Sequence, residues 1–98
     1  MATLLKVDGT TQQVRPERGS KFTLEELQGY VGGYIEILHL DIMDVRRRSL
    51  MLIINEEGKL NNLHPNDWTT CLFDVFSKPL VSDYIAGPAL LVDSSEVD

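Results

Sequence analysis

The chain has 98 residues, with 15 acidic and 9 basic side chains and a formal net charge of −6. That length holds one domain with a modest core, and 43% apolar with 24% charged residues is a globular rather than a disordered composition. The deficit of Lys and Arg disfavours a nucleic-acid footprint, which needs cations to neutralise phosphates.

Thr3 to Val7 and Thr10 to Val14 are rich in Thr and Val and flank Asp8-Gly9, which predicts a hairpin closed by a two-residue type I′ turn. Pro16 to Lys21 is a polar connector with Pro16 and Gly19 as breakers. Phe22 opens a well-marked helix. Thr23 as N-cap and Glu26 form a capping box, and Phe22 and Leu27 are spaced for a hydrophobic staple. Leu24, Leu27 and Val31 share one face, and Gly32-Gly33 supplies a left-handed cap. Tyr34 to Leu40 follows as a strand, with Ile35 and Ile37 alternating against Tyr34 and Glu36.

Asp41 to Ser49 reads as a polar loop carrying Arg46-Arg47-Arg48. Leu50 to Ile54 is apolar on both faces and belongs in the centre of a sheet. Asn55-Glu56-Glu57-Gly58 suits a type I turn, with Lys59 to Asn61 as a short return strand. Asn62 to Asn66 is a loop, and Asp67 is the expected N-cap of a second helix. There Trp68, Cys71, Leu72, Val75 and Phe76 form an amphipathic stripe that ends before Pro79. Two threonines and Val75 lower its propensity, so this helix depends on packing. Ala89 to Val92 is the last strand, with Pro88 marking a strand start or an edge.

The order ββαβββαβ implies an α+β domain over residues 1–93. Its sheet is mostly antiparallel, with one parallel contact allowed across a helical crossover, and both helices are expected on one face. The opening order is compatible with a β-grasp arrangement. Residues 94–98 read as an acidic flexible tail. The first half is balanced in charge. The excess lies after Ile54, where Lys59 and Lys78 face eight acidic groups.

Little points to catalysis. His39 lies in a strand, where a partly buried, hydrogen-bonded role is expected. His64 sits in the polar loop Asn61-Asn-Leu-His-Pro-Asn-Asp67, whose residue types are also ordinary for turns and caps. Cys71, the single cysteine, can form no internal disulfide. It falls on the apolar stripe, where core packing is expected over a thiol–His64 pair. The glycines at 29, 32 and 33 follow a helix rather than open one, so they are read as a cap and not a phosphate cradle. Asp41, Asp44 and His39 match no closed metal pattern. Arg46, Arg47 and Arg48 are the basic cluster, able to clamp an anion but also readable as a solvated loop. Trp68 is expected in the core and would be an interface anchor if exposed. No signal peptide is evident, and the apolar run Leu50 to Ile54 is too short to span a bilayer. The expectation is a soluble cytoplasmic protein without a cofactor.

The run Thr23-Leu-Glu-Glu-Leu-Gln-Gly-Tyr-Val-Gly-Gly-Tyr-Ile-Glu36 resembles the signature of a family of small uncharacterised domains. Asn55-Glu-Glu-Gly-Lys-Leu60, Pro65-Asn66 and Asp83-Tyr-Ile-Ala-Gly-Pro-Ala-Leu-Leu-Val92 do so as well. The resemblance covers residues 3 to 93. It implies a small α+β domain of phages, plasmids and their bacterial hosts, with no activity to carry over. Tyr34, Glu36, Asn55, Asn61 and Asn66 are its polar candidates for binding, beside His64 and the three arginines.

The leading expectation is a non-enzymatic module that binds a protein partner, with an edge strand as a docking site. The alternative is a small-ligand or nucleotide-binding domain using the 61–67 loop, the arginines and a tyrosine. Mimicry of DNA by the acidic half is a thinner reading, and an enzyme comes last. Free strand edges also allow a homodimer.

Overall fold

The hairpin signals at the start of the chain produce β1 (Ala2–Leu5) and β2 (Thr11–Val14), paired with Leu5 opposite Thr11. The computed structural model describes residues 2–80 and 83–97. The turn is not the two-residue one expected. Lys6 N–H donates to Thr10 O and Gly9 N–H to Lys6 O, both at 3.0 Å. Of the Asp8-Gly9 pair only Gly9 has a positive φ, 88°. The loop is therefore a β-turn followed by a left-handed glycine. Asp8 accepts from the Thr10 amide at 2.9 Å and from its hydroxyl at 2.6 Å, a local alternative that spares it the left-handed region.

Helix α1 (Leu24–Val31) forms as its caps require. Glu26 N–H donates to Thr23 Oγ1 at 3.1 Å, Thr23 N–H returns to Glu26 Oε1 at 3.0 Å, and Gly32 ends the helix at φ 82°. Phe22, Leu27 and Val31 are buried together. Leu24, at the first helical position, is 58% exposed, so the buried face is narrower than expected.

Strand β3 (Ile35–Met43) runs past its expected end. A register shift after His39 lets Met43 pair with Ser49. His39 is exposed, not partly buried, because β3 is an edge strand. Strand β4 (Ser49–Asn55) is an interior strand beside the edge strand β3, and its two apolar faces have separate uses. Met51 and Ile53 join the cluster under α1, while Leu52 and Ile54 join the other face. Residues 59–61 are turns rather than a return strand: Asn61 N–H donates to Glu57 O at 2.9 Å and Leu63 N–H to Gly58 O at 2.9 Å.

Helix α2 (Asp67–Ser77) is capped by Asn66, one residue before the expected Asp67. Its inner face is Thr69, Leu72, Phe73 and Phe76. Trp68 (47% exposed), Cys71 and Val75 face outward, against the expectation of burial. The sequence holds two stripes at helical spacing, and the cap decides between them. Asn66 and Thr70 anchor the first turn, Thr70 Oγ donating to Asn66 O at 2.9 Å and accepting Ile85 N–H at 2.8 Å. That fixes the rotation of the helix.

Strand β5 (Ala89–Asp93) lies between β1 and β4, giving a five-stranded sheet of order β2-β1-β5-β4-β3. Among the described residues every pairing is antiparallel, and the parallel contact allowed from sequence is not formed there. The helices lie on opposite faces, not on one. Met51, Ile53, Leu90 and Val92 pack with α1 residues, whereas Leu5, Leu52, Ile54 and Ala89 pack with Leu72, Phe73 and Phe76 of α2. A central strand that is apolar on both faces needs a cover on each.

The expected flexible tail is also corrected. Ser94–Glu96 form a 3₁₀ turn capped by Asp93. Glu96 O accepts Phe22 N–H at 2.8 Å, and Val97 is buried (8% exposed) in the cluster under α1. Asp98 lies outside the described residues.

Candidate functional site

Several loops are stitched together where β3 begins and β4 ends. Asn55 is buried, its Nδ2 donating to Val31 O at 3.1 Å and its Oδ1 accepting Glu57 N–H at 2.8 Å. Glu56 N–H donates to Tyr34 O at 2.9 Å. A Cβ on Gly33 would lie 2.9 Å from Asn55 Nδ2, and one on Gly58 only 2.5 Å from Ala86 O. Glycine at 58 thus lets the turn after β4 lie directly against the 83–87 segment. Pro65 bridges Ala86, while Asn66 N–H reaches Ile85 O at 2.7 Å and Gly87 N–H reaches His64 O at 2.8 Å.

This stitching frames a groove of about 430 Å³ on the α2 face. Its floor includes Leu38, Ile54, Phe73 and Ile85, and its rim carries Glu36, Glu56, Glu57, Lys59, Asp83 and Tyr84. The Lys59 ammonium pairs with Asp83 and stands 4.9 Å from the centre of the Tyr84 ring. The bond from Lys59, helped by the Tyr84 amide, holds the Asp83 carboxyl below its ordinary value. A second concavity of about 520 Å³ opens beside α1, lined by Gln28, Gly29, Gly33, Tyr34, Asn55, Glu57 and Asn61. The two hollows share Asn55 and Glu57.

The candidates from sequence divide accordingly. Glu36 lines the first hollow, and Tyr34 and Asn61 the second. Asn66 is a structural residue, 1% exposed, with Nδ2 donating to Leu5 O (2.9 Å) and Gly87 O (3.0 Å) and Oδ1 accepting Thr69 N–H (3.1 Å). His64 is exposed on its loop and lines neither hollow. The arginines sit at the other end of β4, which spans about 20 Å. Arg48 is occupied there. Its Nε donates to Asp44 Oδ2 at 3.1 Å, its Nη1 donates to Ser95 Oγ at 2.9 Å, and its Nη2 lies 3.4 Å from Asp93 Oδ2. The Arg48 amide is the leading cause that holds Asp44 below its ordinary value. Burial pushes Asp93 up, but the Ser95 hydroxyl and amide with Arg48 outweigh it, leaving it lowered. Arg46 and Arg47 are exposed in the turn, Arg47 at φ 62°. The arginines, His64 and Tyr34 therefore do not share one concave surface.

Sequence reasoning missed Glu56, Glu57, Lys59, Asp83 and Tyr84 as a group. The available signal was their place in the segments that carry the family resemblance, which the fold gathers at one end of the sheet.

The second feature is the outer edge of β3, nine residues long and, among the described residues, paired only with β4. The bond from Glu56 N–H to Tyr34 O sets the alternation. With Glu36 opposite Ile54 and Leu38 opposite Leu52, those residues turn their backbone groups toward β4. Ile35, Ile37 and His39 therefore turn theirs outward.

Among the described residues no group of three or more His, Cys, Asp or Glu side chains could hold a metal ion. No helix there is long and apolar enough to cross a membrane. No curated protein and no solved structure matches the chain. A family model described as "Domain of unknown function (DUF3846)" matches residues 1–98, so the chain belongs to that family.

Proposed function

We propose that the chain is a non-enzymatic interaction module that adds an extended segment of a protein partner to the free edge of β3. The observation that carries this reading is the nine-residue edge strand with outward backbone groups at Ile35, Ile37 and His39. Such an edge is a template for strand addition. The register shift after His39 restricts the usable template to the first part of the strand. A nucleotide site is less well supported, because the arginines and the 61–67 loop lie apart. The sequence resemblance to domains of phages and plasmids suggests an accessory role in a mobile element.

Affinity capture from bacterial lysate at several salt concentrations tests the reading, with wild type and Ile37→Pro compared. Proline removes the outward Ile37 N–H and leaves the ladder to β4 in place. The expected result is a stoichiometric partner that the variant loses while its thermal melt stays cooperative. Equal capture by both proteins, or no stoichiometric partner at any salt concentration, overturns it.

A further inference from the structure

We propose that the groove on the α2 face receives a long basic side chain, best an arginine, carried by the segment that pairs with β3. This rests on the strand-addition reading and specifies its partner.

Three observations support it. The first is placement. Glu36 and Leu38 line the groove, and they are residues of β3 itself. A strand added to β3 lies about 5 Å away with its side chains in the same alternation. One of its residues therefore projects beside Glu36 and Leu38 on the groove side. The second is shape. An apolar floor that includes Leu38, Ile54, Phe73 and Ile85 suits the alkyl stem of a long side chain whose charged head stays at the rim. The third is charge. Among the described residues four carboxylates stand on the rim against one cation, Lys59, and that cation is engaged by Asp83 and Tyr84. A guanidinium at the rim meets Glu36 and Glu56 with bidentate geometry available.

A second copy of this chain fits the edge poorly. It would bring its own Glu36 and Asp41 to the same edge, and each copy carries −6.

The probe is a capped peptide, acetyl-Thr-Val-Thr-Arg-Thr-Val-Thr-amide, and its twin with citrulline, the neutral isostere, in place of arginine. Binding is read by backbone amide shifts during titration. The arginine peptide should bind about tenfold tighter. The double variant Glu36→Gln, Glu56→Gln should reduce it to the citrulline level and leave the citrulline peptide unchanged. Free n-butylguanidinium should shift Glu36, Lys59 and Tyr84, and n-butylurea should not.

Equal affinity of the two peptides overturns the cationic pocket. If Ile37→Pro or His39→Pro still abolishes both, strand addition survives that failure. An arginine preference indifferent to either proline variant would do the reverse, keeping a cation site and removing strand addition. Failure of both peptides and of n-butylguanidinium to bind at millimolar concentration overturns the proposal. So does a dimer in sedimentation that Ile37→Pro dissociates, because it would assign the edge to a second copy.

Discussion

Replacing Asn66 with alanine should cost the protein far more than a binding residue would. The side chain is 1% exposed and makes three hydrogen bonds, to Leu5 O, Gly87 O and Thr69 N–H. These tie the end of β1, the segment before β5 and the first turn of α2 to one point. Loss of an N-cap costs about 1 kcal/mol, and each buried backbone group left without a partner costs about 1–3 kcal/mol. With partial relaxation the total is about 3–4 kcal/mol. For a chain of this length that lowers Tm by roughly 12–25 °C. Urea unfolding followed by circular dichroism measures it, with the midpoint shifted and the m-value kept. Asn66→Asp provides an internal check. It keeps the cap acceptor but turns an oxygen toward the carbonyls of Leu5 and Gly87, so it should be worse than alanine. A loss under about 1 kcal/mol for alanine, or an aspartate variant more stable than the alanine one, would refute the reasoning.

A chain ending at Asp93 should lose about 2–3 kcal/mol, because it forfeits the burial of Val97 and the Phe22–Glu96 backbone bond; a neutral result in chemical denaturation would restore the picture of a mobile tail. Trp68→Ala should cost only about 1–2 kcal/mol, well below Asn66→Ala, and iodide should quench the wild-type indole, since the ring lies half-exposed on the outer face of α2. Stability should fall on acidification. The Thr23 and Glu17 amides hold Glu26 below its ordinary value, and Asp44, Asp83 and Asp93 are lowered as well. Groups lowered in the folded state bind fewer protons there than when unfolded. Their contribution is present above the unfolded values and is lost as pH falls from about 4.5 through the folded ones. Thermal melts between pH 7 and pH 3 check this, and a Tm that rises on acidification contradicts it.

Features set by neighbours in sequence were legible. The capping box of Thr23 and Glu26 and the left-handed Gly32 need only local chemistry, and both are present. The two-faced apolarity of Leu50 to Ile54 marks a strand covered on both faces, and β4 is interior, though β5 rather than β4 takes the centre of the sheet. Features set by distant contacts were not. Trp68-Cys71-Val75 and Leu72-Phe73-Phe76 are both plausible helical faces. The choice is made by Asn66 and Thr70 through Leu5, Ile85 and Gly87, which periodicity cannot see. Val97 is one apolar residue in a polar stretch, and the 3₁₀ turn after Asp93 places it under α1. For the site, Tyr34 and Glu36 lie within a family segment, and Asn61 directly follows the one that ends at Leu60. Their partners at 56–59 and 83–84 arrive through the contact between Gly58 and Ala86, which pairs residues far apart in the chain. The three arginines stood out by composition, and the fold assigns Arg48 to holding the hairpin end against Asp93 and Ser95.

The most direct test of the docking edge is residue-resolved amide exchange with and without saturating arginine peptide. In the free protein Glu36 and Leu38 should be protected by the ladder to β4, while Ile37 and His39 exchange at nearly unprotected rates. With peptide bound, Ile37 and His39 should slow by about tenfold or more as their outward N–H groups find acceptors. Unchanged exchange at both residues in a saturated complex would contradict strand addition at β3.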